Sequence, residues 1–184
     1  MSAAVKTVGP FRSDVLTKGA LLVVVAAFLG VFLWNSDQQP PVVGKPMPDF
    51  DLPADSGGHV QMSDFKGKIV VLNFWASWCQ PCIEELPSLE QFARMYKDRG
   101  VEVVAVSVDD DDKAYADFLS KNKVSLRTVR DHDKRTSINY GTFKYPETYI
   151  SDRNGHLLRK VIGPADWTSD QMTAQMDEWL KSGN

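Results

Sequence analysis

The sequence predicts an α/β domain, and two observations carry that prediction. Residues 70–75 form a short, nearly continuous apolar run, Val-Val-Leu-Asn-Phe-Trp, which is typical of a strand covered on both faces. A turn that contains two cysteines follows this strand, and an amphipathic helix follows the turn. Further along the chain, strand-like and helix-like segments continue to alternate, which favours one sheet with helices packed against it.

The elements follow in chain order. Two short segments, 49–53 and 59–62, flank a turn of sequence Asp-Ser-Gly-Gly, which predicts an N-terminal hairpin. A single helical turn is predicted next, at 63–67. Apolar runs and helical spacing then predict a strand at 68–75, a helix from the cysteines to about Arg99, a strand at 101–108, a helix at 113–122, a strand at 126–129, a helix at 134–140, a hairpin of 147–151 and 156–162, and a last helix at 168–181.

Four consecutive aspartates, Asp109 to Asp112, stand between a predicted strand and a predicted helix. A calcium loop of the EF-hand type needs spaced ligands, a glycine and a distal glutamate, and this run meets none of these requirements. We therefore expect the aspartates to cap the helix at 113–122 and to place negative charge at its start.

Composition limits the classes of function. A chain of 184 residues with 43% hydrophobic content can hold one ordinary globular domain and a short appendage. The net charge of −3 lacks the basic excess that nucleic-acid binding would require, and there is no glycine-rich phosphate loop. We expect no nucleic-acid partner and no cofactor.

Cys79 and Cys82, the only cysteines, stand at the predicted helix start. Unpaired N–H groups and the helix dipole favour negative charge there, so Cys79 should ionise more easily than a free thiol. Cys79 should be the exposed nucleophile and Cys82, one turn further, the shielded thiol that attacks a mixed disulfide at Cys79, so the pair would form a two-electron switch. Two inert structural thiols or a metal-carrying pair could share this spacing. A four-ligand zinc site would need matching histidines, and the three histidines are scattered.

The segment Phe-Trp-Ala-Ser-Trp-Cys-Gln-Pro-Cys at 74–82 resembles the thioredoxin active-site motif. With Glu-Leu-Pro at 85–87, the pattern looks like the membrane-anchored TlpA/ResA/CcmG branch of that superfamily, and the similarity extends over about 43–183. The resemblance implies a thioredoxin fold with two additions, the N-terminal β-hairpin and a central helix–strand insert at roughly 110–131.

A second matching segment is Tyr-Pro-Glu-Thr-Tyr-Ile at 145–150, which resembles the cis-proline segment of the superfamily. Proline just before a strand would ordinarily cost a ladder hydrogen bond. The resemblance implies a cis bond at Pro146, with backbone that lies beside the cysteines and pairs with an incoming polypeptide. An ordinary trans proline in a loop is the alternative.

Glu85 is the candidate for proton transfer. It shares a helical stripe with Cys82 and Leu89, so partial burial should raise the pKa of its carboxyl towards a value useful for proton transfer. Thioredoxin itself has a buried aspartate where this chain has Asn73, which cannot accept a proton, and the resemblance assigns that task to Glu85. A solvent-facing glutamate at the helix start is the alternative.

Residues 19–34 form a charge-free apolar segment that predicts a transmembrane anchor. Small residues suited to signal cleavage are missing at its exit, and no cysteine follows that could carry a lipid. Lysine and arginine precede the segment and return only at Lys45, which predicts a cytoplasmic N-terminus at 1–18. A linker at 35–44 would then join the anchor to a thioredoxin-like domain at 45–184.

Together these features predict an extracytoplasmic thiol–disulfide oxidoreductase that exchanges disulfides at Cys79 and Cys82, anchored in a bacterial inner membrane. The resemblance implies reduction of client disulfides, notably in apocytochrome c, and a membrane electron donor of the CcdA/DsbD type. The alternatives are a copper(I) metallochaperone and a thiol peroxidase. No Thr-x-x-Cys pattern, which peroxiredoxins use, precedes Cys79.

Overall fold

The computed structural model describes residues 13–36 and 40–183. The chain divides into two compact units, residues 1–39 and residues 40–184. The first contains helix α1 (Ser13–Ser36), whose side chains are exposed from residue 18 to residue 31. Within the described residues, no helix is both long enough and apolar enough to cross a membrane.

The predicted domain boundaries remain predictions. A helix does form over the predicted anchor at 19–34. Most of the predicted N-terminal segment 1–18 lies outside the described residues, as do positions 37–39 of the predicted linker.

The second unit contains seven strands and four α-helices among the described residues. Their bounds are β1 (Asp51–Pro53), β2 (His59–Gln61), β3 (Ile69–Trp75), α2 (Gln80–Tyr96), β4 (Val101–Ser107), α3 (Asp112–Asn122), β5 (Arg127–Arg130), α4 (Arg135–Asn139), β6 (Glu147–Ser151), β7 (Leu157–Ile162) and α5 (Asp170–Ser182). Five strands form a sheet in the order β5-β4-β3-β6-β7. Strands β3, β4 and β5 run parallel, whereas β6 is antiparallel to both β3 and β7.

Strand β3 lies at the centre of the sheet, and all seven of its residues are buried. Because successive side chains of a strand point to opposite faces, they enter two core clusters. Val70, Leu72 and Phe74 join a cluster with residues of α3 and β5. Ile69 and Val71 join a second cluster with residues of α2 and α5. Helices therefore cover both faces of the sheet, as the apolar run predicts.

Both predicted additions are present. Strands β1 and β2 pair as an antiparallel hairpin, and an isolated bridge from Ala54 to Val129 joins this hairpin to β5. Helix α3 and strand β5 form the insert, and β5 extends the sheet beside β4. The prediction of a thioredoxin fold with these two additions is confirmed for the second unit.

Two helix ends differ from the predicted ones for local reasons. Helix α2 ends at Tyr96, and a 3₁₀ turn, Lys97–Arg99, leads to Gly100, whose φ of 88° favours glycine. Helix α5 begins at Asp170 because the side chain of Ser169 caps it by accepting from the N–H of Met172.

Candidate active site

Both cysteines lie where β3 leads through a tight turn into α2. The turn closes when the N–H of Cys79 donates to the carbonyl of Ala76, at 3.1 Å. Cys79 is the N-cap of α2, since its sulfur accepts from the N–H of Cys82 at 3.3 Å. Pro81 lies in the first helical turn, where its missing N–H costs no helical hydrogen bond.

Cys79 and Cys82 are joined by a disulfide, with 2.08 Å between their sulfurs and 5.3 Å between their Cα atoms. The structure therefore describes the oxidised form of the pair. The sequence predicts an exposed Cys79 and a shielded Cys82, but the two residues are 5% and 3% exposed, because both pack into one core cluster. The two cysteines differ instead in their place on the helix. Only Cys79 caps α2, where a thiolate is favoured.

Glu85 lies one turn beyond Cys82 and is only 4% exposed, so its predicted burial is confirmed. The side-chain amide of Asn73 donates to Oε1 at 2.9 Å. The backbone N–H of Ala165 and the indole N–H of Trp167 donate to Oε2 at 3.0 and 3.3 Å. Donors from β3 and from the loop before α5 thus hold the carboxylate in a fixed orientation.

Burial raises the pKa of Glu85 above its usual value, because the charged carboxylate loses hydration there. The hydrogen bonds from Ala165, Asn73 and Trp167 oppose this effect by favouring the charged form. Residues three apart on a helix are neighbours on one face, so Glu85 lies on the Cys82 side of α2. The predicted direction of the pKa shift is confirmed, and the role in proton transfer remains a prediction.

Pro146 follows a cis peptide bond from Tyr145, as the resemblance implies. Pro146 is buried, and its carbonyl accepts from the N–H of Gly163 at 2.9 Å. The ring of Tyr145 meets the ring of Trp78 edge-on, with 5.9 Å between centroids. Since Trp78 directly precedes Cys79 and is 63% exposed, the cis-proline segment and the cysteine turn share an accessible aromatic surface.

Sequence reasoning missed Asp109, which it grouped with the capping aspartates. Asp111 does cap α3, accepting from the N–H groups of Lys113 and Ala114. Asp109 instead is 1% exposed, and its carboxylate accepts from the N–H and hydroxyl of Ser77, in the cysteine turn. One signal was available, because Asp109 follows β4, whose carboxyl end lies beside that of β3 in a parallel pair.

Glu147, which directly follows Pro146, was also missed. It is fully buried at the start of β6 and forms an ion pair with Lys160 of β7, with 2.7 Å between Oε1 and Nζ. The available signal was its place at the start of a predicted strand, directly after Pro146.

No group of three or more His, Cys, Asp or Glu side chains in the described ranges is arranged to hold a metal ion. The position that a Thr-x-x-Cys pattern would require is occupied by Ala76, which is fully buried. The arrangement that the residues do form, a cysteine pair at a helix start beside a buried carboxyl, is suited to thiol–disulfide exchange.

Comparisons with known proteins agree with this chemistry. The model of the AhpC/TSA family matches residues 43–160. The chain is similar to the thiol-disulfide oxidoreductase ResA of Bacillus cereus, at 28% identity over 92% of this chain and 96% of that protein. It is also similar to ResA of Bacillus subtilis, at 33% identity over 79% of this chain and 82% of that protein.

A solved structure is also similar to this chain. The crystal structure of a thiol:disulfide interchange protein DsbE from Chlorobium tepidum aligns with a TM-score of 0.71 at 33% identity. The alignment covers 76% of this chain and 99% of that one, so nearly all of the solved chain has a counterpart here.

Proposed function

The chain belongs to the AhpC/TSA family and is a thiol–disulfide oxidoreductase, and from that premise we propose that it reduces disulfides of client proteins outside the cytoplasm. The observation that carries the proposal is the Cys79–Cys82 disulfide at the start of α2, with the buried Glu85 one turn further along. Disulfide-bearing clients follow from the enzyme class. The direction of electron flow, the compartment and the named partners belong to the proposal.

The reaction starts from the dithiol form. The Cys79 thiolate attacks one sulfur of the client disulfide, a mixed disulfide forms, and the other client sulfur leaves as a thiolate. Cys82 then loses its proton and attacks the Cys79 sulfur, which releases the second client thiolate. Two electrons pass to the client in total, its two thiolates take up protons from water, water ultimately takes the protons that the two cysteines release, and the enzyme ends as the disulfide described above.

Glu85 would accept the proton that Cys82 loses in the second step. Its carboxyl lies on the Cys82 side of α2, and its raised pKa brings proton exchange closer to neutral pH. Since Asn73 donates to Glu85 and also to the hydroxyl of Thr148, both at 2.9 Å, the acceptor is fixed relative to the sheet. A fixed acceptor within the core avoids drawing water into the cysteine site.

Pro146 and its neighbours would bind the client. The exposed ring of Trp78 and the ring of Tyr145 border the turn from which Cys79 must reach a client disulfide. The backbone on the amino side of Pro146 would pair with an extended client segment, which places the client sulfur beside Cys79.

The partners follow from the resemblance and the compartment. Apocytochrome c is the proposed client, because its haem-binding cysteines must be reduced before attachment. An oxidising compartment would leave the enzyme as the disulfide, so a membrane donor of the CcdA/DsbD type is proposed to reduce it again.

We also propose that residues 19–34 anchor the protein in a bacterial inner membrane, with residues 1–18 in the cytoplasm and the second unit outside. Support comes from the charge-free run and from the lysine and arginine bias on its amino side. Protein extracted from membranes is expected to retain its N-terminus by intact mass analysis. A mature form that begins near Asn35 would show a cleaved signal instead.

Insulin reduction tests the proposed enzyme class. The full chain in detergent, supplied with dithiothreitol, is expected to accelerate insulin reduction by about tenfold or more over dithiothreitol alone, because a low-pKa thiolate reacts faster near neutral pH. The variant Cys79→Ser/Cys82→Ser is the matched control and should give the background rate.

Copper and peroxide measurements on the same sample cover the alternatives. Stoichiometric retention of Cu(I) with background insulin reduction would indicate a metallochaperone. Rapid consumption of hydrogen peroxide with background insulin reduction would indicate a peroxidase. Either result would contradict the proposal.

A further inference from the structure

Asp109 lies beneath the cysteine turn, and neither the capping prediction nor the exchange reaction accounts for its contacts. It lies two residues beyond the end of β4, it is 1% exposed, and its carboxylate contacts the cysteine turn rather than capping α3. A buried carboxylate is costly unless hydrogen bonds satisfy it, so the donors around it indicate what it holds in place.

Three donors surround the Asp109 carboxylate. The backbone N–H of Ser77 is shared between its two oxygens, at 3.1 and 3.0 Å, and the hydroxyl of Ser77 donates to Oδ1 at 2.6 Å. The hydroxyl of Ser107, the last residue of β4, donates to Oδ2 at 2.7 Å. The carboxylate therefore joins the end of β4 to the turn that follows β3.

The backbone of the turn connects Ser77, which Asp109 binds, to Cys79 and its sulfur. Ser77 is the second residue of the turn that the bond from Cys79 to Ala76 closes. Cys79 closes this turn with φ −88° and ψ 100°, and in the disulfide form its sulfur accepts from the N–H of Cys82 at 3.3 Å. A hydrogen bond to the thiolate lowers the pKa of the thiol, because it favours the charged form.

Arg130 holds the same residue from the other side. Its guanidinium donates to the backbone carbonyl of Asp109 at 2.8 Å and to the carboxylate of Asp112 at 3.0 Å. It also lies over the ring of Tyr115, with 4.3 Å to the centroid. Arg130 ends β5 and Tyr115 belongs to α3, so residues of the insert bind Asp109. Asp109 in turn binds Ser77 in the cysteine turn.

We propose that Asp109 is a positioning residue for Cys79, which acts by fixing the Ala76–Cys79 turn so that the Cys79 thiolate faces the N–H of Cys82. The inference rests on the proposed function, and it gives the central insert a role as a brace for the active site. The charged groups near Asp109 are Arg130 and Asp112, which contact each other, and the ion pair of Asp110 with Lys134. Near the cysteines, Glu85 lies on the Cys82 side of α2.

The test measures the rate of Cys79 alkylation by iodoacetamide against pH in the full chain carrying Cys82→Ser, so that one thiol reports. Asp109→Ala is expected to raise the apparent pKa of Cys79 by about 0.5–1 unit and to slow alkylation at pH 7 roughly three- to tenfold, since the thiolate loses its aimed donor. Asp109→Asn should keep the rate within about twofold, because its amide oxygen can accept both Ser77 donors and its NH₂ can face Ser107.

Asp131→Ala is the matched control. Asp131 is also fully buried and accepts from the N–H groups of Thr136 and Ser137 in the first turn of α4, so its loss should lower stability without moving the Cys79 profile. If Asp109→Ala does not fold, Ser77→Ala takes its place in the test. Ser77→Ala removes the hydroxyl that donates to Asp109, so we expect it to raise the pKa of Cys79.

Three outcomes would overturn the inference. The first is an unchanged pH profile of Cys79 alkylation in the folded Asp109→Ala variant, or in Ser77→Ala if Asp109→Ala does not fold. The second is an equal shift in the pKa of Cys79 in Asp109→Ala and Asp131→Ala. The third is a lowered pKa of Cys79 in both Asp109 variants. The last would show that the carboxylate acts through its charge and not through position. Because alkylation needs no client, its result does not depend on insulin reduction. If the proposed function fails, the alkylation result can still be interpreted.

Discussion

Cys82→Ser is expected to accumulate client proteins as mixed disulfides on Cys79, and Cys79→Ser is expected to accumulate none. The reason is the order of attack. Cys79 caps α2, where the thiolate is favoured, and Cys82 supplies the tethered thiol that releases the client. An internal thiol has an effective concentration far above that of any free thiol, so its loss should slow release by at least about 10³-fold.

The measurement is non-reducing electrophoresis of membrane extracts, followed by mass spectrometry of the trapped chains. Cys79→Ser/Cys82→Ser is the control for non-specific association. Apocytochrome c peptides that contain Cys-x-x-Cys-His would support the proposed client, and other secreted proteins would indicate general disulfide reduction. Trapping in Cys79→Ser with none in Cys82→Ser would reverse the assigned roles.

Glu85→Gln is expected to slow client reduction at neutral pH by about 10²-fold, the lower end of what a positioned proton acceptor contributes. It should also change the pH dependence of alkylation of the reduced protein, because the neighbouring thiols lose a carboxylate that opposes their ionisation. Glu84→Gln is the matched control, since Glu84 is the adjacent glutamate and is exposed. Equal pH profiles for Glu85→Gln and the parent would exclude proton handling by Glu85.

The same variant carries a stability test with a defined sign. The folded-state pKa of Glu85 is raised above the usual value of 4.5, so the native state binds this proton more tightly than the unfolded state. Its contribution to stability is present below pH 4.5 and is lost as pH rises through the folded pKa.

Glutamine at this position does not ionise, so Glu85→Gln lacks that loss. Its free energy of unfolding, measured by urea denaturation, should therefore rise relative to the parent as pH increases from about 4.5 and then level off. A difference between the two proteins that stays constant with pH would contradict the raised pKa.

Much of the fold follows from local patterns in the sequence. The run at β3 predicts a strand buried on both faces, and the structure places its alternate side chains in two cores. The stripe that joins Cys82, Glu85 and Leu89 predicts the burial of Glu85, because helical periodicity alone determines which face packs on the sheet. The cis bond at Pro146 was implied by the resemblance and by no local pattern.

The features that escaped sequence reasoning depend on contacts between distant segments. Asp109 reads as one of four similar aspartates, yet its partner Ser77 is 32 positions away, and only the pairing of β3 with β4 brings them together. The donors that fix Glu85 are comparably remote, at Asn73, Ala165 and Trp167. The near-equal exposure of the two cysteines arises from packing of the whole cluster, to which their spacing gives no guide.

The reduction potential of the Cys79–Cys82 pair tests the central claim, that the enzyme reduces its clients, most directly. It can be measured by equilibrating the full chain with glutathione buffers and quantifying free thiols after acid quenching. The proposed function predicts a potential well below about −200 mV, in the range of protein reductants. A value near the ~−120 mV of a strong oxidant would contradict it, because electrons would then flow from the client to the enzyme.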